Sequence, residues 1–122
     1  MSEAPKDFSK LVEDWNQVIK CDDGHMVIEG EQPNRQCYIV LDGTVDIFAG
    51  ERYLESVGTG GVFGEMALID QKPASATAIV RGGAKLAVIG VEEFLRLVKL
   101  HPTFALDLME VMSGRIRRMD AE

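Results

Sequence analysis

Between His25 and Gly90 the chain alternates short β-prone runs with glycine-bearing turns, and this rhythm narrows the accessible folds more than any other feature. "HMVIEG" reads as one short strand, and "QCYIVLDGTVDIFAG" as two β-rich runs around Asp42-Gly43. An Asp-Gly pair between such runs predicts a tight hairpin. "RYLESV" is a further strand, and "SATAIV" and "KLAVIG" flank Gly82-Gly83 as a second predicted hairpin. Six or so short strands with regular turns favour a closed barrel or jelly roll, because closure removes exposed strand edges.

Helical periodicity brackets this β region. Phe8, Leu11, Val12, Trp15, Val18 and Ile19 share one face at helical spacing, which predicts an amphipathic helix over Asp7 to Ile19. After Gly90 the period returns to helix in "VEEFLRLVKL" and in "HPTFALDLMEVMSGRIRRM", where Pro102 suits a first helical turn. The expected organisation is a single α+β, mainly β domain. It has an N-terminal helix in 1–20, a β region in 21–90 and C-terminal helices in 91–122.

Composition excludes several function classes. A 122-residue chain with 46% hydrophobic content holds one ordinary domain with a real core. A formal charge of −7 argues against a nucleic-acid surface. The one cationic cluster, Arg115, Arg117 and Arg118, falls in the last predicted helical turn, where it complements the helix dipole. Cys21 and Cys37 are not closely spaced and read as free thiols. "MSEAPKDF" lacks an apolar signal core and no apolar run approaches membrane-spanning length, so a cytoplasmic location is expected.

Catalytic chemistry is not visible. There is no G-x-S-x-G elbow, no H-E-x-x-H and no Cys–His signature. A metal enzyme on a jelly roll needs three or four inward ligands, yet His25 and His101 are the only histidines. The pairs Asp22/Asp23 and Glu92/Glu93 are ordinary solvated acids of turns and first helical turns. The expectation is a protein that is not an enzyme, with no metal and no cofactor.

Gly58 to Val80, "GTGGVFGEMALIDQKPASATAIV", is different because several features coincide there. Gly60-Gly61 permits close backbone approach, Gly64 precedes one helical turn, and Glu65 stands at that turn's N-terminus. Such a turn suits an anion. Glu65 either complements the turn's dipole or accepts charge-assisted hydrogen bonds from a ligand's sugar hydroxyls.

With "DGHMVIEGE", "CYIVLDGTVDIF", "VGTGGVFGEMALI" and "AKLAVIGVEEFLRLVKLHP" in order, the chain resembles the cyclic nucleotide-binding domain family over roughly Cys21 to Met119. That family includes bacterial catabolite-activator-type regulators, cAMP-dependent kinase regulatory subunits and gated channels. The resemblance implies an eight-stranded jelly-roll (double-stranded β-helix) barrel with an N-terminal helix and a C-terminal helical pair. It implies a phosphate-binding cassette over 58–77, with Phe63, Gly64, Glu65, Met66, Ala67, Ala74, Ser75 and Ala76 as ligand-binding positions. Gly64 and the N–H groups of Glu65, Met66 and Ala67 would face cyclic phosphate and ribose, and Glu65 would accept from the ribose 2′-hydroxyl. Ser75 would bond a phosphate oxygen and bias base choice between adenine and guanine.

Where the family carries a phosphate-pairing arginine, this chain has Ala74. A cyclic phosphate is always anionic, and arginine answers it with a charged, bidentate fork. Losing one partner of such a pair costs about 2–5 kcal/mol, or roughly 1.5 to 3.5 orders of magnitude in affinity. Lys72 shares the face of Ala74 in an extended chain, with Cα atoms about 7 Å apart, and is the candidate compensating cation. Pro73 weakens that parity, and a solvated surface cation is the favoured reading. Arg81 has the opposite parity and is expected to point outward.

The leading expectation is therefore a non-enzymatic sensor that binds cAMP, cGMP or a related nucleoside, weakly or in altered form. The alternative is a degenerate domain that binds no nucleotide and acts as a protein-interaction or dimerisation module. Its contact surface would be Phe104, Leu108, Val111, Met112 and Met119 on the final helix. Catabolite-activator-type proteins carry a helix-turn-helix domain after that helix, and none follows within these 122 residues, so direct DNA binding is not expected. Neither is a membrane partner.

Overall fold

The computed structural model describes residues 6–70 and 72–120, with the side chains of Met119 and Asp120 outside that description. Six strands form one antiparallel sheet: β1 (Val18–Cys21), β2 (Met26–Ile28), β3 (Cys37–Ala49), β4 (Arg52–Val57), β5 (Val62–Phe63) and β6 (Thr77–Ile89). Two helices follow, α1 (Val91–Leu100) and α2 (Pro102–Asp120). Short 3-10 helices occupy Ser9–Val12 and Glu65–Leu68.

β3 and β6 are the spine. They pair antiparallel from Cys37↔Ile89 to Phe48↔Thr77. β1 and β2 flank β6, while β4 and β5 flank β3.

Neither predicted hairpin exists, because each glycine signal lies inside one continuous strand. Gly43 pairs with Ala84 and Thr44 with Arg81, so Gly82 and Gly83 are extra residues opposite a single step of β3. All three glycines have positive φ, at 105°, 78° and 99°. The left-handed freedom that suggested chain reversal instead forms a bulge that bends both long strands together. The six strands, against an expected eight, follow from this.

The predicted helix over Asp7 to Ile19 is also corrected. Only Ser9–Val12 is helical, and Val18 and Ile19 belong to β1, paired with Ala87 and Leu86 of β6. The apolar stripe is real but serves an irregular segment. Phe8 and Val12 are buried, Leu11 and Trp15 pack at the cluster edge, and the Trp15 indole donates to the Val88 carbonyl at 2.8 Å. Tertiary pairing overrides helical spacing here.

Two apolar clusters result. One fills the concave side of the sheet, with Ile28, Tyr38, Val40, Val45, Ile47, Phe63, Val80 and Leu86 among its members. The other joins the N-terminal segment and both helices to the sheet through Phe8, Val12, Ile39, Val62, Leu97, Phe104 and Leu108. Phe104 stands at its centre, edge-on to Phe8 and Phe94 with ring centroids 5.6 Å away in each case. The Gly90 N–H donates to the Glu93 carboxylate at 2.9 Å, which fixes the start of α1. Pro102 is the first residue of α2, as its fixed φ favours.

Candidate functional site

β5 ends at Phe63, whose ring stacks on Tyr38 at 5.2 Å. Gly64 then turns the chain with φ of 78°, and Glu65–Leu68 forms the short 3-10 helix. A side chain at Gly64 would meet Ile28 Cδ1 at 2.9 Å and the Gln36 carbonyl at 3.1 Å, so only glycine fits. The upstream glycines are used differently from the sequence expectation. A Cβ at Gly60 would meet Asp7 Oδ1 at 2.5 Å, and one at Gly61 would meet Val57 Cγ1 at 2.5 Å. Their close approach is to the protein itself, and the Gly60 carbonyl accepts the Phe8 N–H at 2.7 Å.

Glu65 is 6% exposed and is the one buried charged residue among those described. Its Oε1 accepts from Arg115 Nη1 at 2.6 Å, across 50 residues of sequence. The same guanidinium donates from Nε to Glu55 Oε2 at 2.8 Å and from Nη2 to the Val62 carbonyl at 2.6 Å. Arg118 adds a longer contact to Glu55 at 3.8 Å. Arg115 is thus a clasp between α2, β4 and the cassette and not merely a dipole partner of its own helix, which corrects the sequence expectation. A signal for this was present. Phe104, Leu108, Val111 and Arg115 are spaced four, three and four apart, which places Arg115 on the core-facing stripe of α2.

Ala67 is buried beneath the cassette, while Met66 is 46% exposed. Cys37, fully buried, feels the Glu65 charge; burial first, and then that charge, push its thiol well above the usual range.

Ala74 is half-buried and packs against the concave-side cluster, as does Ala76. Its backbone is committed at both ends: its N–H donates to the Gln32 carbonyl at 3.0 Å, and its carbonyl accepts from the Glu31 N–H at 2.7 Å. Ser75 is exposed. Lys72 is exposed too, with its backbone N–H on Asp70, so its side chain follows the surface reading. Arg81 points outward as expected, paired to Asp46 at 2.9 Å. Desolvation acts to raise the Asp46 carboxyl, but the Ser56 hydrogen bond and the Arg81 pair together hold it below its ordinary value.

The structure therefore brings Phe63, Gly64, Glu65, Met66 and Ala67 together on one short segment, and Ala74 and Ala76 against the shared interior. Among the described residues no group of three or more His, Cys, Asp or Glu side chains is arranged to hold a metal.

Residues 18–101 match the family model described as cyclic nucleotide-binding domain. The chain belongs to the cyclic nucleotide-binding domain family. It is 33% identical over 90 residues to the cyclic AMP receptor protein of Thermus thermophilus, covering 70% of this chain and 42% of that protein. It is 31% identical over 94 residues to a cAMP-dependent protein kinase regulatory subunit of Hypocrea atroviridis, covering 77% of this chain and 20% of that protein. The chain thus spans less than half the length of these curated relatives. Among solved structures, the Thermus thermophilus catabolite activator protein superposes with a TM-score of 0.82 at 26% identity, over 97% of this chain and 57% of that one. A structure from a bacterial cyclic-GMP-dependent signalling pathway shares the fold, with a TM-score of 0.77 at 23% identity over 88% and 90% of the two chains.

Proposed function

We propose that this cyclic nucleotide-binding domain is a regulatory sensor whose binding of cAMP, cGMP or a related nucleoside is weakened or altered. The observation that carries this reading is Ala74, an uncharged side chain against the concave-side cluster, beside a cassette that keeps Gly64 and Glu65. In this reading Gly64 and the N–H groups of Glu65 and Met66 face the ligand, with Phe63 and Ala76 at the edges, whereas the Ala67 N–H, expected to join them, donates to the Gly64 carbonyl at 3.2 Å. Glu65 accepts from a ribose hydroxyl, and Ser75 reaches a phosphate oxygen. Divided at their glycine bulges, β3 and β6 each count as two strands, which supports assignment to the eight-stranded jelly roll. Two buried free thiols suit a reducing compartment, and we place the domain in the cytoplasm. Titration calorimetry with cAMP, cGMP and adenosine at millimolar concentration tests this reading. Weak heats for at least one ligand are expected, and silence for all three overturns it.

A second reading, a dimerisation or protein-interaction module, is favoured by the outer face of α2. Leu106, Met109 and Ile116 are 67%, 60% and 58% exposed there. Met109 and Ile116, with Met112, Ser113 and Arg117, line a shallow hollow of about 290 Å³. Phe104 and Leu108, by contrast, are consumed by the domain's own core, and Met119 lies outside the described side chains.

A further inference from the structure

We propose that β1, at the end of the sheet, pairs with an extended segment of a partner protein that is cationic at both ends and uncharged between. This site is separate from the cassette and does not depend on the functional reading above. β1 pairs on one side only, with β6, in an unbroken register. The Gln17 carbonyl accepts the Val88 N–H at 2.9 Å, and antiparallel alternation then turns the N–H and C=O groups of Val18 and Lys20 away from β6. Among the described residues no backbone group bonds them there. Ile19 is 37% exposed and Lys20 is exposed, so the strand is not covered. Such an edge is a template for one more strand, bonded through its main chain.

A hollow of about 430 Å³ adjoins this edge. Val88 lies between Gln17 and Tyr38 in one row across the sheet, and Ile19 and Gln36 line the hollow with them. The Tyr38 hydroxyl donates to Gln36 Oε1 at 3.4 Å, while the Gln17 carboxamide has no hydrogen bond among the described residues. None of the lining residues is charged, so the hollow suits an uncharged side chain of the added strand. Charge defines the rest of the occupant. Glu13 and Asp14 precede the strand and Asp22 and Asp23 follow it, all exposed and none in an ion pair among the described residues. Asp23 also accepts the Gly82 N–H at 2.7 Å. In the middle, Lys20 stands directly opposite Lys85, a like-charged pair, and Asp42 across from Lys85 makes no ion pair with it. Carboxylates at both ends and ammonium groups at the centre are complementary to cationic ends and an uncharged middle.

The probe is an end-blocked peptide, Lys-Lys-Thr-Val-Thr-Val-Thr-Lys-Lys, with a control in which glutamate replaces every lysine. Amide shifts in NMR titrations of the wild-type chain read both site and affinity. The lysine peptide should shift the Val18, Ile19 and Lys20 amides and bind at least about tenfold tighter than the glutamate peptide, a preference that shrinks as salt is raised. Val18→Pro removes an N–H that the sheet does not use and should weaken the lysine peptide by about three- to tenfold, the scale of one hydrogen bond. Asp14→Lys with Asp22→Lys leaves the backbone unaltered and should abolish the preference for lysine. No binding of the lysine peptide at millimolar concentration, equal binding of both peptides, or shifts that leave β1 unmoved overturns the proposal, and the sensor reading stands. An unchanged preference in the double variant does the same. Concentration-dependent shifts of the β1 amides without peptide would give the edge to a second copy of this chain and likewise overturn it.

Discussion

Arg115 holds two carboxylates and a carbonyl with one guanidinium, and among the described residues no other side chain ties the cassette to α2 so directly. Its removal leaves Glu65 buried without a partner. Fully buried pairs cost about 3–5 kcal/mol when one partner is lost, and partial solvent access lowers this to about 2–3 kcal/mol here. Urea denaturation of Arg115→Ala should show that loss, while Arg115→Lys keeps the charge but not the fork and should lose less. Stability unchanged in Arg115→Ala would mean that the clasp is a surface contact. Cys37 belongs to the same neighbourhood. Its thiol, held protonated by burial and by Glu65, should resist a disulfide reagent at pH 8 until the chain unfolds. Prompt reaction in the native state would contradict that burial. Of these residues, Glu65 and Ala74 were legible from the family pattern in sequence. Arg115 was legible only through helical phase, because its place in a last turn offers a simpler explanation that needs no tertiary partner.

Strands and turns show the limits of local signals. Asp42-Gly43 and Gly82-Gly83 carry the chemistry of hairpin turns, yet they face each other in a bulge between β3 and β6. Positive φ is all that glycine supplies, and the long-range pairing of the two strands decides its use. The hairpin that does connect β3 to β4 turns at Gly50, with φ of 62°, and Ala49 opposite Arg52. Gly43→Ala should be costly on two counts. Its φ of 105° disfavours any side chain, and the new Cβ would overlap Gly83 O and approach Ala84 Cα at 2.8 Å. Strain alone is worth about 1–3 kcal/mol, and thermal denaturation should register it. Gly58→Ala is the control, since no heavy atom lies within 4 Å of its added Cβ and its φ is not in the left-handed region. It should shift stability by no more than about 0.5 kcal/mol. Equal losses in both variants would remove the bulge from the account. The amphipathic stripe of Asp7 to Ile19 failed for the same reason as the hairpins. Apolar spacing reported burial correctly at Phe8 and Val12, while pairing with β6 set the backbone of Val18 and Ile19. By contrast α1 and α2 were legible with their boundaries, because Gly90 and Pro102 are local start signals that tertiary contacts did not override.

At the scale of the whole molecule, the helical layer has an inner face, given to the core, and an outer apolar face on α2. If that outer face pairs domains, sedimentation should show concentration-dependent association that Met109→Glu with Ile116→Glu abolishes. A strict monomer at high concentration would argue against the interaction module. The sensor reading turns on one position. Family membership and the fold are carried by the succession of strand and helix segments, while in the proposed reading ligand choice turns on the uncharged side chain at Ala74. The most direct test is the affinity of Ala74→Arg for cAMP and cGMP, measured by calorimetry beside wild type. If the cassette is intact and lacks only its cation, one of the two should bind roughly 1.5 to 3.5 orders of magnitude tighter than to wild type. A folded Ala74→Arg protein of native stability whose affinity for both is unchanged would contradict the account.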